Sequence, residues 1–264
     1  MKNIILTIDC GNTHTTLGCV DGDKNVTAVC RIPTDRVDTE FGYAAKIKQI
    51  LDLKNIALDS IEGAVISCVV PPVTDVLARA VKLITGHDAL VIGAGIKTGL
   101  HICINDPGTV ASDLVAAAVA AKEQYPLPCI IIDMGTATTV TAVDEKARFI
   151  GGAIFPGAGI SLTALAHNTA LLPHIDIQPP SKVVATNTVD CMRSGIVYGT
   201  AGAVDGILDH FAEELGEPAS IVATGGISSL ICPHCRHNIT LDDTLLLKGL
   251  RSIWDKNQKT SKDR

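Results

Sequence analysis

Aromatic residues and long apolar runs are both scarce in this sequence. Phe, Trp and Tyr together make up only 3% of its 264 residues, and no run approaches the ~20 consecutive apolar residues of a membrane-spanning helix. The opening residues lead into a strand-like stretch without the small-residue cleavage site of a signal peptide. We therefore expect a cytoplasmic protein with no membrane partner, whose cores consist of Ala, Val, Ile and Leu.

An excess of positive charge is also lacking. Lys and Arg number 22 against 28 Asp and Glu, which gives a formal net charge of -6 at pH 7. Nucleic-acid binding normally requires a positively charged surface, so we expect no nucleic-acid partner. Hydrophobic residues make up 47% of the chain, and a chain of this length can build two modest domains.

Two common signatures of nucleotide-binding proteins are missing. No G-x-x-x-x-G-K-[ST] segment occurs, because the glycine-rich run at residues 93–99 has the wrong spacing. The dinucleotide-binding G-x-G-x-x-G fingerprint lies between a strand and a helix, whereas the first glycine turn here joins two predicted strands. The sequence therefore excludes the P-loop and Rossmann folds.

The cysteines do not suggest a disulfide framework. Most of the nine lie in apolar stretches, as buried thiols of a reducing compartment do. Cys232-Pro-His-Cys235 with the nearby His237 has the residue types of a zinc site but lacks a second cysteine pair. We expect this segment to be a surface loop that holds no stoichiometric zinc.

The same order of predicted elements occurs twice. Three short strands within residues 4–31 form an antiparallel meander, and a helix, a strand, a helix and a strand follow. A second meander occupies residues 129–155 after an alanine-rich helix at 112–124. This repeat predicts an α/β protein with two duplicated domains, which we place at residues 1–110 and 111–264.

A polar turn follows the first strand, with the sequence Asp9-Cys10-Gly11-Asn12-Thr13-His14-Thr15-Thr16. Glycine permits a tight turn, and backbone N–H groups and threonine hydroxyls can donate hydrogen bonds to phosphate oxygens. The Asp9 carboxylate is suited to hold Mg²⁺ or its water shell. Taken alone, this turn could equally be an asparagine-rich hairpin.

Two further turns strengthen the nucleotide interpretation. The first strand of the second meander ends in Asp133-Met134-Gly135-Thr136-Ala137-Thr138-Thr139, which repeats the pattern at Asp9. Gly225-Gly226 follows another apolar strand, and paired glycines let a base or ribose lie against the backbone. Together the three turns predict an ATP-dependent phosphotransferase that grips its nucleotide at Asp9 and Asp133.

A helix start lies between the two acidic turns in the sequence, at Ala111-Ser112-Asp113-Leu114. Ser112 or Asp113 could simply cap the helix by accepting backbone N–H bonds. Alternatively, Asp113 is a general base that takes a proton from an alcohol. Its place between two nucleotide-binding turns favours the general base.

With these motifs the sequence resembles the type III pantothenate kinases over almost the whole chain. The resemblance implies the actin and sugar-kinase superfold with two ribonuclease-H-like domains, a homodimer, ATP with Mg²⁺, and a monovalent cation such as K⁺ or NH₄⁺. It implies phosphorylation of pantothenate to 4'-phosphopantothenate, the first step of coenzyme A biosynthesis. Beyond the two acidic turns, the shared segments are residues 31–36, 68–72, 97–100, 152–157, 187–188, 194–199 and 223–226.

The resemblance also assigns roles to single positions. It implies that Asp133 binds the monovalent cation, that Asp9 belongs to the metal and phosphate site, and that Asp113 accepts the proton. Thr188 matches a residue that contacts substrate across the dimer interface. The residues expected to bind the nucleotide are Asp9, Gly11, Asn12, Thr13, His14, Thr15, Thr16, Thr136, Gly225 and Gly226.

The chain departs from the family where substrate is held. The family has Gly-Ala-Asp-Arg where this chain has Ala111-Ser112-Asp113-Leu114, and a family tyrosine is replaced by Ile104. An arginine would pair with a substrate carboxylate, whereas leucine cannot hydrogen-bond. Two alternatives to a homodimeric pantothenate kinase therefore stay open. One is a kinase-like subunit that works with or regulates a second paralogue, and the other is a kinase for a different small alcohol without a carboxylate.

Overall fold

The computed structural model describes residues 4–258, which form two compact units. The expected boundary at residue 110 would group the helix after residue 111 and the C-terminal helix with the second sheet, whereas contacts group both with the first. The first unit contains residues 4–100, 105–123 and 244–258, and the second contains residues 101–104 and 124–243.

The described residues form strands β1–β11 and helices α1–α7, joined by turns and three short 3₁₀ segments. The strands are β1 (Ile4–Cys10), β2 (His14–Val20), β3 (Val26–Pro33), β4 (Ile61–Cys68), β5 (Ala89–Val91), β6 (His101–Ile102), β7 (Cys129–Met134), β8 (Ala137–Val143), β9 (Arg148–Pro156), β10 (Ser220–Thr224) and β11 (Thr240–Leu241). The helices are α1 (Glu40–Leu53), α2 (Pro71–Thr85), α3 (Ser112–Gln124), α4 (Ala158–Asn168), α5 (Thr188–Leu215), α6 (Ser228–Ile231) and α7 (Leu245–Gln258).

The two sheets repeat one strand order. The first sheet runs β3-β2-β1-β4-β5, with β1, β2 and β3 antiparallel and β4 and β5 parallel to β1. The second contains the same series as β9-β8-β7-β10-β11, and β6 extends it at the β9 edge. This is the ribonuclease-H-like arrangement, present twice, so the predicted duplicated α/β fold is confirmed.

The hairpins after β2 and β8 show the duplication at atomic detail. Asp21 accepts hydrogen bonds from the N–H groups of Asp23 and Asn25, at 3.0 and 2.9 Å. Asp144 accepts equivalent bonds from two backbone N–H groups, at 3.0 and 2.8 Å. The third residue after each aspartate has a left-handed backbone, with φ of 64° at Lys24 and 60° at Ala147. An aspartate at the strand end thus closes both turns.

Strand β1 is buried on both faces, in agreement with its nearly continuous apolar sequence. Leu6, Ile8 and Cys10 pack with the buried residues of α1 and α2. Helix α7 packs on β1, β2 and β4. It also meets α3 closely, because a Cβ on Gly249 would lie 1.9 Å from the Ala116 carbonyl oxygen. This contact ties both helices to the first unit.

Helix α2 begins earlier than its sequence pattern suggests. The apolar run at residues 64–70 predicts a strand that Pro71 and Pro72 end, with a helix from residue 75. The structure ends β4 at Cys68 and starts α2 at Pro71. Proline is favoured in the first turn of a helix, because its missing N–H would have no intrahelical partner there.

The sequence predicts a helix over residues 188–215, and α5 has these bounds. The Asn187 side chain caps its start by accepting a hydrogen bond from the Asp190 N–H, and Gly216 follows its last residue. Its residues Val197, Val204 and Leu208 pack in the core of the second unit. Within residues 4–258, neither α5 nor any other helix is long and apolar enough to cross a membrane.

A partly exposed carboxylate joins three segments of the first unit. Glu123, near the end of α3, forms ion pairs with Lys24 and Lys256 and accepts a 2.6 Å hydrogen bond from Ser252. Burial would raise the pKa of Glu123, but these three hydrogen bonds outweigh it and lower the pKa to about 2. The ionised form is thus strongly favoured in the folded state.

We expect Glu123→Gln to destabilise the protein at pH 7 by about 1 kcal/mol, because solvent screens the ion pairs of this exposed residue and leaves only part of the equivalent of lowering its pKa to about 2. Because the folded-state pKa is depressed, this contribution is complete above pH 4.5 and is lost as the pH falls towards 2. Urea unfolding of both proteins between pH 7 and pH 3.5 measures it. The difference in unfolding free energy between the wild type and Glu123→Gln should decrease as the pH falls.

Asp52→Asn is the matched control, because its partner Lys48 is an exposed neighbour one helical turn away. It should change stability by less than about 0.5 kcal/mol. An equal loss in both variants, or a gap for Glu123→Gln that does not depend on pH, would contradict the assignment.

Candidate active site

The Asp9 turn is held by backbone contacts and by one threonine. The Gly11 N–H donates to the His14 carbonyl at 3.0 Å, and the Thr34 N–H donates to the Thr13 carbonyl at 3.0 Å. The Thr34 hydroxyl donates to the Gly11 carbonyl at 2.7 Å. The segment after β3 thereby fixes the turn after β1, a long-range support that local sequence does not reveal.

The side chains of this turn divide between the surface and the interior. Asn12 and Thr13 are exposed, and Arg36 donates a 3.0 Å hydrogen bond to the Asn12 side chain. Thr15 is fully buried, and its hydroxyl lies 2.9 Å from that of Thr34. Thr15 therefore supports the turn from the protein interior. Its hydroxyl does not reach the surface on which Asn12 and Thr13 lie. Thr16 is half-buried.

His14 is half-buried and contacts a cation. The Arg31 guanidinium lies 2.9 Å from His14 Nδ1, and burial together with the Arg31 charge lowers the pKa of His14. Arginine can only donate, so Nδ1 accepts and the imidazole is neutral with its proton on Nε2. That second nitrogen is the donor which His14 can offer to a ligand.

The structure brings Asp113 to the same sheet edge as Asp9. Asp9 and Ser67 are register partners on β1 and β4, and the Ser67 hydroxyl lies 2.9 Å from the Ser112 hydroxyl at the start of α3. Asp113 follows directly, in the first turn of that helix. The sequence-based domain boundary would have separated Asp113 from Asp9, because nothing local shows that α3 packs with the first unit.

Burial sets the chemistry of Asp113. It raises the pKa of the carboxyl group, and a 2.7 Å hydrogen bond from the Leu114 N–H only partly offsets the effect. A carboxylate with a raised pKa accepts a proton more readily, as a general base requires. Of the other substrate candidates, Ala111 and Leu114 are half-buried on either side of it, and Ile104 is half-buried in the second unit.

The Asp133 turn of the second unit is packed against a helix start. The Gly135 N–H donates to the Ala137 carbonyl at 3.1 Å, and Thr136 is exposed. A Cβ on Gly157 would lie 2.4 Å from the Thr136 carbonyl oxygen, so only glycine allows α4 to begin this close. The positive end of the α4 dipole thus lies at the turn, where it favours an anion. Sequence reasoning gave Gly157 no role.

One hydroxyl next to this turn is a candidate to bind a cation. Thr138 Oγ1 and Thr139 Oγ1 are both buried and have no hydrogen-bond partner among residues 4–258. Thr139 is the register partner of Asp133 across β7 and β8 and shares its face of the sheet, whereas Thr138 lies on the opposite face. A carboxylate and an unpaired hydroxyl oxygen fit an alkali or alkaline-earth cation, because such hard cations prefer oxygen ligands. The threonine pair was the sequence signal for this position.

The third glycine turn lies against the Asp133 strand. Thr224 is the register partner of Asp133, and Gly225 follows with φ of 97°. A Cβ on Gly225 would lie 2.6 Å from the Met134 backbone, so a side chain is excluded on both counts. The structure therefore brings Gly225 to the Asp133 turn. Gly226 is exposed beside it, and Thr188 is exposed at the first residue of α5.

The cysteine and histidine segment at residues 232–237 is partly buried and contacts acidic residues of the second unit. Cys232 is buried, and burial raises its pKa to about 11; burial and the Asp205 charge raise that of Cys235 to about 12. His237 Nε2 lies 2.8 Å from an Asp209 carboxylate oxygen. Residues 4–258 contain no group of three or more His, Cys, Asp or Glu side chains placed to hold a metal. The expected lack of zinc stays a prediction.

Comparisons with known proteins agree with this geometry. A family model described as type III pantothenate kinase matches residues 5–210. A type III pantothenate kinase from an Exiguobacterium species is 42% identical over 256 residues, which cover 97% of this chain and all of the relative.

Two solved structures share the fold at low sequence identity. The activator of 2-hydroxyisocaproyl-CoA dehydratase from Clostridium difficile, with bound ADPNP, has a TM-score of 0.57 and 14% identity, covering 100% of this chain and 98% of its own. A ROK family glucokinase from Streptomyces griseus, in complex with glucose and AMPPNP, has a TM-score of 0.55 and 13% identity, covering 96% and 99%. The fold is that of the actin and sugar-kinase superfold. On the family match and the full-length similarity, the chain belongs to the type III pantothenate kinase family.

Proposed function

We propose that this chain transfers the γ-phosphoryl group of ATP to pantothenate and forms 4'-phosphopantothenate, the first step of coenzyme A biosynthesis. The observation that carries the proposal is the position of Asp113, a carboxylate of raised pKa linked through Ser112 and Ser67 to the Asp9 edge of the first sheet. The substrate follows from the family, whose members share the reaction. ATP use is supported by the glycine and threonine turns at Asp9 and Asp133.

The protein's part in the reaction is to bind, position and accept a proton. The turn after Asp9 offers backbone N–H groups to the phosphates, with Asn12 and Thr13 exposed around them. Asp113 accepts the proton of the substrate's primary hydroxyl while the hydroxyl oxygen attacks the γ-phosphorus of ATP. Positioning and charge stabilisation account for most of the catalysis in phosphoryl transfer.

Two cations complete the proposed site. Asp9 would hold Mg²⁺ or its water shell, and Asp133 with the unpaired Thr139 hydroxyl would hold K⁺ or NH₄⁺. When bound, these cations neutralise charge on the phosphates during transfer.

Asp133→Ala is expected to weaken nucleotide binding and to abolish the preference for K⁺ over Na⁺, because the carboxylate that fixes the cation is gone. Initial rates in K⁺ and in Na⁺, for the wild type and the variant, measure the preference. Thr139→Val is the matched second variant and should reduce it as well, since it removes an unpaired oxygen ligand. A wild-type ratio of the two rates in Asp133→Ala would place the cation elsewhere.

The assembly and location that go with this function are a homodimer in the cytoplasm, with Thr188 contacting substrate across the dimer interface. A hetero-oligomer with a second paralogue is the alternative, in which this chain binds ATP and the other subunit supplies the complete substrate motif. Size-exclusion chromatography with light scattering of the purified chain distinguishes a self-sufficient dimer from a subunit that needs a partner.

A kinase assay on the purified chain alone tests the proposal. It should contain MgATP, K⁺ and a panel of alcohols that includes pantothenate and analogues without the carboxylate. Phosphorylation of pantothenate is the expected result. Leu114 favours a second candidate, a kinase for an alcohol that lacks a carboxylate, because the family's arginine is missing at that position. Preferential phosphorylation of such an alcohol would replace the proposed substrate, and nucleotide binding without turnover would indicate the partner subunit.

A further inference from the structure

Two cysteines are neighbours at the ends of β1 and β4, next to the Asp9 turn. Cys10 and Cys68 are register partners in this parallel pair, so their side chains leave the sheet on the same face. Adjacent strands lie about 4.7–4.9 Å apart, which is inside the ~4.4–6.8 Å range of Cα separations in disulfides. Neither cysteine is part of a disulfide in the structure. The backbone already holds the pair at a distance that a disulfide can span.

The two thiols differ in access and in environment. Cys10 is fully buried, whereas Cys68 is half-buried and its sulfur lies 3.3 Å from the Val70 carbonyl oxygen. The Cys68 sulfur is therefore the more accessible of the two, as the attacking thiol of an oxidation must be.

We propose that Cys10 and Cys68 form a disulfide when the protein meets hydrogen peroxide, and that this bond weakens nucleotide binding at the Asp9 turn. The Cys68 thiolate attacks one peroxide oxygen, an S–O bond forms, the O–O bond breaks, and water leaves after protonation. The Cys10 sulfur then attacks the Cys68 sulfenic acid, the S–S bond forms, and the second water leaves with the Cys10 proton. Two thiols are oxidised and one peroxide is reduced to two waters.

A chain of contacts links this pair to the turn. Thr15 Oγ1 lies 3.5 Å from Cys10 Sγ and 2.9 Å from Thr34 Oγ1, and Thr34 donates its only hydroxyl proton to the Gly11 carbonyl. A disulfide moves the Cys10 sulfur towards Cys68 and away from Thr15. The interior support of the turn is then disturbed directly beneath the backbone that faces the phosphates. This second half of the inference rests on the proposed function, whereas the disulfide itself does not.

Peptide mapping of the wild-type protein tests the disulfide without any substitution. Protein treated with stoichiometric hydrogen peroxide is blocked with N-ethylmaleimide, digested and analysed by mass spectrometry. The expected product is one intramolecular link between Cys10 and Cys68, removed by dithiothreitol. Both residues recovered as maleimide adducts, or as sulfinic or sulfonic acids without a link, would overturn the proposal, as would pairing of either with another cysteine.

The affinity for Mg·ADPNP, measured by calorimetry before and after oxidation, tests the consequence. We expect binding to weaken about tenfold on oxidation, the order of effect of losing one supporting hydrogen bond, and to recover in dithiothreitol. Cys68→Ser should bind nucleotide normally and no longer respond to peroxide. Replacing the exposed Cys103 and Cys191 with serine is the control and should leave the response intact.

The outcomes separate the two claims. A mapped disulfide with unchanged affinity would overturn the link to the turn. A reduced protein that binds no nucleotide would overturn the proposed function and the link together, while the mapping result would still decide the disulfide. A peroxide response that persists in Cys68→Ser would assign the effect to another thiol.

Discussion

Asp113→Asn is expected to lower the rate of phosphoryl transfer by on the order of 10²–10⁴-fold and to leave ATP binding nearly unchanged. The amide has the size of the carboxylate but cannot accept the substrate proton. The Leu114 N–H that now donates to Asp113 at 2.7 Å can donate to the amide oxygen as well, so the helix start should stay intact. Single-turnover rates and ATP titrations of wild type and variant measure the two quantities.

Asp106→Asn is the matched control for this experiment. Asp106 lies seven positions earlier, is exposed, and accepts a 3.1 Å hydrogen bond from the Gly108 N–H, which an asparagine can also accept. Its turnover should equal that of the wild type. Near wild-type turnover in Asp113→Asn, or a parallel loss of ATP affinity, would mean that Asp113 is a structural cap and that the base lies elsewhere.

Leu114→Arg is expected to lower the KM for pantothenate by roughly ten- to a hundredfold, because a charge-assisted hydrogen bond to the carboxylate contributes about 1.5–3 kcal/mol. The double variant with Ile104→Tyr restores the second family residue and should gain at least as much. Steady-state kinetics with pantothenate report the change. KM should fall with little change in kcat, since the carboxylate lies away from the reacting hydroxyl.

Leu114→Lys is the matched comparison, because it supplies a point charge without the planar fork that pairs with a carboxylate. Its gain should be smaller than that of arginine. Thermal unfolding and ATP binding of each variant establish that the fold is kept. A folded Leu114→Arg, Ile104→Tyr protein that binds ATP and shows no gain toward pantothenate would favour an altered substrate or a partner subunit.

Local sequence patterns predicted the helices and strands well where capping residues or turn residues mark their ends. Helix α5 has an asparagine cap before it and a glycine after it, and both meanders have polar turns between apolar strands. The two-residue strands β6 and β11 were missed, because so short a strand is defined by its partner and carries no periodicity of its own. Pro71 was interpreted as a stop and is a helix start, since proline serves both purposes.

The acidic turns of the candidate site were predicted from their glycines and threonines, but their supports were not. Ser67, Thr34 and Gly157 act through contacts with residues 23 to 45 positions away in the first two cases and about 20 in the third. Such pairings depend on strand register and helix packing. The base role of Asp113 was favoured by its place between the two turns, the cation role of Asp133 came from the family resemblance, and the structure adds the surroundings of both side chains.

The first unit takes helix α7 from the segment that follows the second unit in sequence, and this has a consequence for synthesis on the ribosome. Helix α7 covers one face of β1, β2 and β4, yet it is translated after the whole of the second unit. One apolar face of the first sheet therefore stays uncovered during synthesis of residues 124–243, which form a nearly contiguous unit of their own. Although domains generally fold in the order of their synthesis, here the N-terminal unit is completed last. Chaperone occupancy should accordingly fall only when α7 has left the exit tunnel.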